Sequence, residues 1–116
     1  MMTVTIYHNP RCSKSRATLE LLQGKGVEPK IVEYLKTPPS AADLKAILKK
    51  LGMRPRDLLR ASEPLYAELG LKDRDLSDGQ LIALMIKNPI LIERPIVVSG
   101  GKAAIGRPPE KVLEIL

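Results

Sequence analysis

The chain has no tryptophan and no phenylalanine, and its 3% aromatic content is three tyrosines. Platforms for stacking nucleic-acid bases are therefore scarce. There is one cysteine, Cys12, and one histidine, His8. A single cysteine forms no internal disulfide, which points to a reducing compartment and makes the cytoplasm the expected location. One cysteine and one histidine do not make a zinc ligand set, so no metal site is expected. No apolar run approaches the ~18 residues of a membrane span, so no membrane association is expected. The chain enters a β-rich run, "TVTIY", without a charged segment followed by an apolar one, so no signal peptide is expected.

What is present is an ordinary globular composition: 116 residues, 44% hydrophobic and 28% charged. One domain over residues 1–116 is the expectation, large enough to bury a core without covalent staples. The net charge of +6 comes from basic residues scattered along the chain. That distribution fits a solvated basic surface with room for a small-anion site, and disfavours nucleic acid as a partner.

Residues 3–7 alternate and are β-branched, which predicts a strand. "HNPRC" is a turn, and a helix is predicted from about Ser13 to Lys25, ended by Gly26. "KIVEY" (30–34) is a second strand and "KTPPS" a loop. A helical block follows, over about 40–88. Ser40 and Asp43 start its first helix, with Leu44, Ile47, Leu48 and Leu51 on one face and Gly52 at its end. "RPRDLLR" (54–60) and "EPLYAELG" (63–70) predict short helices. Ser77 and Gln80 open a further helix that "NP" at 88–89 stops. "PIVVS" (95–99) and "KAAI" (102–105) read as a hairpin joined at "GG", and Pro108 starts a last helix, "PPEKVLEIL".

The order β-α-β, helical block, β-β-α is that of a thioredoxin-like α/β fold: a four-stranded mixed sheet with a helical insertion between the second and third strands. In such a fold Cys12 lies at the N-terminus of the first helix. Backbone N–H groups and the helix dipole favour an anion there and lower a thiol pKa. Arg11, Lys14 and Arg16 flank it, and a reactive thiolate is the reading. Arg11 and Arg16 add positive potential, with solvent exposure the simpler reading for Arg11. Asn9 and Pro10 shape the turn.

The segments "IYHNPRCSKSR", "EYLKTPPS", "ELGL", "NPILIERPIVV" and "GRPPEKVLEIL" closely resemble the glutaredoxin-coupled arsenate reductase family. The likeness runs from about residue 3 to 116. It implies a cysteine nucleophile at Cys12, and an oxyanion site made by Arg60 in "LLRAS", Arg94 in "IERPIVV" and Arg107 in "IGRPP". It also implies that no cofactor is bound, that glutathione is the co-substrate, that glutaredoxin is the partner, and that the protein is a monomer. Taken singly, each arginine has a plainer reading: a helix cap for Arg60, an exposed residue before a strand for Arg94, a solvated helix flank for Arg107. Pro95 matches the cis-proline that thioredoxin-like folds place before the third strand. Ser15 stands where a C-x-x-C motif has its second cysteine. Its hydroxyl either bonds the thiolate or is an ordinary first-turn serine. His8 either supports the thiolate or is structural. The chain ends after "VLEIL", where longer members carry an extension, which bears on product release or a lid over the site.

The other arsenate reductase class, on a phosphatase-like scaffold, needs C-x5-R and resolving cysteines. Here Arg16 lies four residues after Cys12 and no second cysteine exists, so that class is excluded. Two further readings remain open. One is a thiol reductase acting on glutathione mixed disulfides or another oxyanion. The other is a non-enzymatic redox regulator that binds RNA polymerase, although such regulators use a C-x-x-C that "CSKS" lacks.

Overall fold

The computed structural model describes residues 3–116. It packs as two compact units: the chain up to Thr37 together with Arg94–Leu116, and Pro38–Glu93.

The first unit is built on strands β1 (Val4–His8), β2 (Lys30–Glu33), β3 (Ile96–Ser99) and β4 (Lys102–Ile105), with helix α1 (Ser13–Gly24). The strand order is β2-β1-β3-β4. β2 runs parallel to β1, while β3 is antiparallel to both β1 and β4. This is the thioredoxin-like order expected from the sequence. The crossover from β1 to β2 passes through α1, whose end is fixed by glycine chemistry. Gly26 has φ 78°, the N–H of Val27 reaches the Leu22 carbonyl and that of Gly26 the Gln23 carbonyl. This left-handed turn satisfies carbonyls that the helix leaves open.

The core of this unit is Ile6, Leu22, Val97 and Val112, each 0% exposed, with Val4, Leu19, Val27 and Ile115 packed around them. Each such side chain contributes about 1.5–3 kcal/mol on burial. The last helical segment departs from expectation: Pro109–Ile115 is 3-10 rather than α-helical. With three residues per turn, Pro109, Val112 and Ile115 stack on one line. Val112 and Ile115 on that line belong to the core.

β1 ends one residue later than the alternation suggests, at His8, which is buried and registered against Glu33 of β2. The hairpin turns at Gly100, with φ 59°. The Arg94–Pro95 peptide is cis, as the resemblance implies, and Arg107–Pro108 is cis as well. Gly106 leaves no room for a side chain: a Cβ there would overlap Thr18 Oγ1 and stand 2.9 Å from Pro95 Cγ. Its N–H also donates to the Pro95 carbonyl at 2.9 Å. Gly106→Ala is therefore expected to lower stability by about 1–3 kcal/mol through overpacking. A thermal melt checks this, and an unshifted midpoint would mean that Thr18 and Pro95 yield freely.

The second unit holds α2 (Ala41–Leu51), α3 (Pro55–Leu58), α4 (Pro64–Glu68) and α5 (Asp78–Lys87), with short 3-10 turns at Leu71–Asp73 and Pro89–Leu91. Its caps follow the sequence reading. Ser40 Oγ accepts from the Asp43 N–H, and Ser77 and Gln80 form a reciprocal capping box. Leu44, Ile47 and Leu48 of α2 and Leu81, Ile82 and Met85 of α5 are buried, and the two helices are in contact.

The stretch read as a helix over 54–60 stops at Leu58. Leu59 is extended and bridges Ile92 antiparallel, while the N–H of Arg60 donates to the Leu91 carbonyl at 2.8 Å and that of Glu93 to the Leu58 carbonyl at 2.9 Å. These long-range backbone bonds take over where the helix would have continued.

Candidate active site

Cys12 is half-buried and occupies the N-cap position of α1, with extended backbone at φ −93° and ψ 123°. The Arg16 N–H donates to its carbonyl at 3.0 Å, closing the first turn. An N-cap side chain faces the backbone N–H groups of the second and third helical residues, here Lys14 and Ser15. No acidic residue in the first turn competes for them. Sγ closes no tight cap bond. Burial pushes its pKa up, but the Ser15 N–H, the Arg94 guanidinium and the Lys14 N–H together hold it below the ordinary cysteine value. The arrangement favours the thiolate, the nucleophilic form.

The sheet explains why Arg94 reaches the sulfur. β1 and β3 are antiparallel, with Tyr7 paired to Ile96. The turn after β1 and the residues before β3 thus share one end of the sheet. β4 returns to that end, with Ile105 opposite Ile96. Cys12, Arg94, Pro95 and Arg107 are therefore gathered there by topology. Arg94 is half-buried, with Nε and Nη1 out of solvent, and Arg107 is half-buried too.

Arg60 belongs to the helical unit. It is not a helix cap: Nε donates to Glu63 Oε2 at 3.3 Å and Nη1 to Glu93 Oε1 at 2.9 Å. Its side chain is only 12% exposed, so these charge-assisted bonds are poorly screened. The sequence reading named the arginine and missed both carboxylates. Glu63 at i+3 was open to inference from spacing; Glu93 was not.

Ser15 resolves differently from either reading. Its hydroxyl bonds neither the thiolate nor solvent. Ser15 Oγ lies 2.6 Å from His8 Nδ1 and accepts the Asn9 N–H at 3.0 Å, and all three residues are buried. Ser15 serves the thiol through its backbone and braces the preceding turn through its side chain. Asn9 adds a second brace, its Oδ1 accepting the Arg11 N–H at 3.0 Å. Burial lowers the His8 pKa, Glu33 opposes that and Arg16 adds to it, leaving the imidazole below its ordinary value. A histidine neutral at pH 7 adds no positive charge beside the thiolate, which favours the structural reading. Arg16, exposed, donates from Nη1 to the Pro10 carbonyl at 2.9 Å and so ties the turn to α1. Arg11 is exposed.

Ser15→Ala would leave the Asn9 N–H and His8 Nδ1 without this partner in buried surroundings. The expected cost is about 1–3 kcal/mol, measured by urea unfolding. A cost near zero would show that water replaces the hydroxyl.

Among the described residues no group of three or more His, Cys, Asp or Glu is placed to hold a metal ion, and no helix is long and apolar enough to cross a membrane.

An N-cap cysteine biased toward the thiolate on a thioredoxin-like sheet, with an arginine before a cis-proline acting on its ionisation, is a candidate thiol-dependent site on a thioredoxin-like fold. The ArsC family model matches residues 7–115, and the chain belongs to the ArsC family. It is 61% identical to the uncharacterized protein YfgD of Escherichia coli K12, over 97% of this chain and 96% of that protein. It is 52% identical to the Haemophilus influenzae protein named arsenate reductase, over 99% of this chain and 100% of that protein. The solved arsenate reductase of Vibrio cholerae superposes with a TM-score of 0.95 at 54% identity, covering 99% of this chain and 98% of that one.

Proposed function

We propose that this protein is an arsenate reductase that uses Cys12 as nucleophile, Arg60, Arg94 and Arg107 as oxyanion ligands, and glutathione and glutaredoxin as electron donors. The observation that carries the reading is the N-cap placement of Cys12 under the influence of the Ser15 and Lys14 N–H groups and of Arg94. The arsenate reductase names of the Haemophilus and Vibrio relatives support the substrate.

The thiolate attacks arsenic and displaces one oxygen as water, giving a Cys12 thiol–arsenate adduct. Arginine suits arsenate because a planar guanidinium stays charged and bonds oxyanions in bidentate fashion. It also stabilises the charge that moves during attack. Glutathione then attacks the Cys12 sulfur. Arsenic leaves with the sulfur–arsenic electron pair as arsenite, reduced by two electrons, and Cys12 is left in a mixed disulfide with glutathione. The chain has one cysteine, which is free, so resolution falls to an external thiol, assigned to glutaredoxin. This dependence on external thiols fits the cytoplasm.

The test is arsenite formation by purified protein with arsenate, glutathione and glutaredoxin, joined to mass measurement of Cys12. A glutathione adduct at Cys12 that appears only when arsenate is present supports the reading. Turnover of glutathione mixed disulfides with no arsenite formed refutes it.

A further inference from the structure

The parallel pairing of β1 and β2 sets His8 beside Glu33. Next to this pair lies a cavity of about 230 Å³ whose walls include His8, Arg11, Glu33, Leu35 and Lys36. Sites for drug-sized ligands run to ~300–1,000 Å³, so this one suits a fragment of amino-acid size.

Its chemistry is mixed in a specific way. Arg11 and Lys36 are exposed cations. Glu33 is a carboxylate 3.9 Å from Lys36, with side chains 43% and 79% exposed respectively. An ion pair that long and that exposed binds weakly, so both groups remain available to a ligand. Leu35, 41% exposed, adds an apolar wall. His8 also lines the wall. Ser15 is fully buried and its Oγ already accepts the Asn9 N–H, so its hydroxyl proton is satisfied by donation to His8 Nδ1. That assigns the ring proton to Nε2.

Two cations suited to a carboxylate, and one carboxylate suited to an ammonium, are the complement of an α-amino-acid zwitterion. The cavity's rim is the turn that leads directly into Cys12. We propose that this cavity binds the γ-glutamyl end of glutathione, its α-ammonium on Glu33 and its α-carboxylate on Arg11 and Lys36, while the thiol is presented toward Cys12. The inference rests on the reading of glutathione as co-substrate.

S-methylglutathione keeps the zwitterion and cannot react, so it tests binding apart from catalysis. Titrated into the full chain and followed by amide NMR shifts, it is expected to move His8–Arg11 and Glu33–Lys36 saturably. Glu33→Lys and Lys36→Glu are each expected to weaken that binding about fivefold or more, as loss of a charged contact does, and to raise the KM for glutathione. S-methyl-N-acetylcysteine, which lacks the zwitterion, is expected to leave these residues unmoved. The inference is overturned by shifts confined to other residues, by equal binding in wild type and both variants, or by no saturable shift at all. Saturable binding here in a protein that forms no arsenite would uphold the site and refute the reductase reading.

Discussion

Cys12→Ser is expected to reduce arsenite formation to the uncatalysed background, a loss on the order of 10⁴-fold or more, as for removal of a nucleophile. The position makes this a clean experiment. Cys12 is the N-cap of α1, with extended backbone and no other side chain capping the helix. Serine is among the preferred N-cap residues, and a good cap is worth up to about 2 kcal/mol. The variant should therefore fold with an unchanged or raised thermal midpoint, and its loss of activity will be chemical. A hydroxyl neither ionises near neutrality nor can form the mixed disulfide that the proposed route requires. The assay is arsenite production beside a melting curve. Activity within tenfold of wild type would remove Cys12 from the reaction.

Arg94→Met is expected to lower kcat/KM for arsenate at neutral pH by about 10²–10³-fold, the scale for losing one oriented donor to a reacting oxyanion. Two effects combine, and pH separates them. Arg94 stabilises the charged form of Cys12 by hydrogen bonding and by its charge. Its removal raises the thiol pKa, so less thiolate is present at neutral pH. The rise of kcat/KM with pH therefore moves to higher pH in the variant. Alkaline conditions restore the thiolate but not the guanidinium, so the KM for arsenate stays elevated there. Arg94→Lys keeps a point charge without the planar fork and should recover the pH profile more than the KM. A variant whose pH profile overlays that of wild type would separate Arg94 from the sulfur.

The strands and long helices were legible because each carries a local signal. β-branched alternation marked β1, and glycines at positive φ marked the ends of α1 and α2, where Gly26 and Gly52 have φ 78° and 68°. Ser40 and Ser77 announced their helices by the residue three places on. Two features carried no such signal. The 3-10 geometry of Pro109–Ile115 is set by packing of Val112 and Ile115 into the core of the first unit. The Leu59–Ile92 bridge joins segments far apart in the chain and overrides a helix-like stretch.

The candidate site divides along the same line. Cys12, Arg94 and Pro95 were readable from the strand-turn-helix pattern and the resemblance. The hydroxyl of Ser15 was not. Its partners His8 and Asn9 lie seven and six residues away, and only the fold of the turn chooses them over the neighbouring sulfur. Nor was the engagement of Arg60, because its partner Glu93 lies 33 residues on. The backbone bonds between Leu58–Arg60 and Leu91–Glu93 place that carboxylate beside the guanidinium. An oxyanion drawn to Arg60 thus meets a cation already shared by two carboxylates, a circumstance hidden from the arginine pattern alone.

The most direct measurement is the ionisation of the one sulfur in the chain that can act as a nucleophile, followed by ultraviolet thiolate absorbance in wild-type protein across the pH scale. With a single cysteine, the difference between wild type and Cys12→Ser isolates that one thiolate from tyrosinate absorbance. The account predicts a midpoint clearly below the ~8.5 of an unperturbed thiol. A midpoint at or above that value would contradict it, because burial would then have outweighed the helix N–H groups and Arg94.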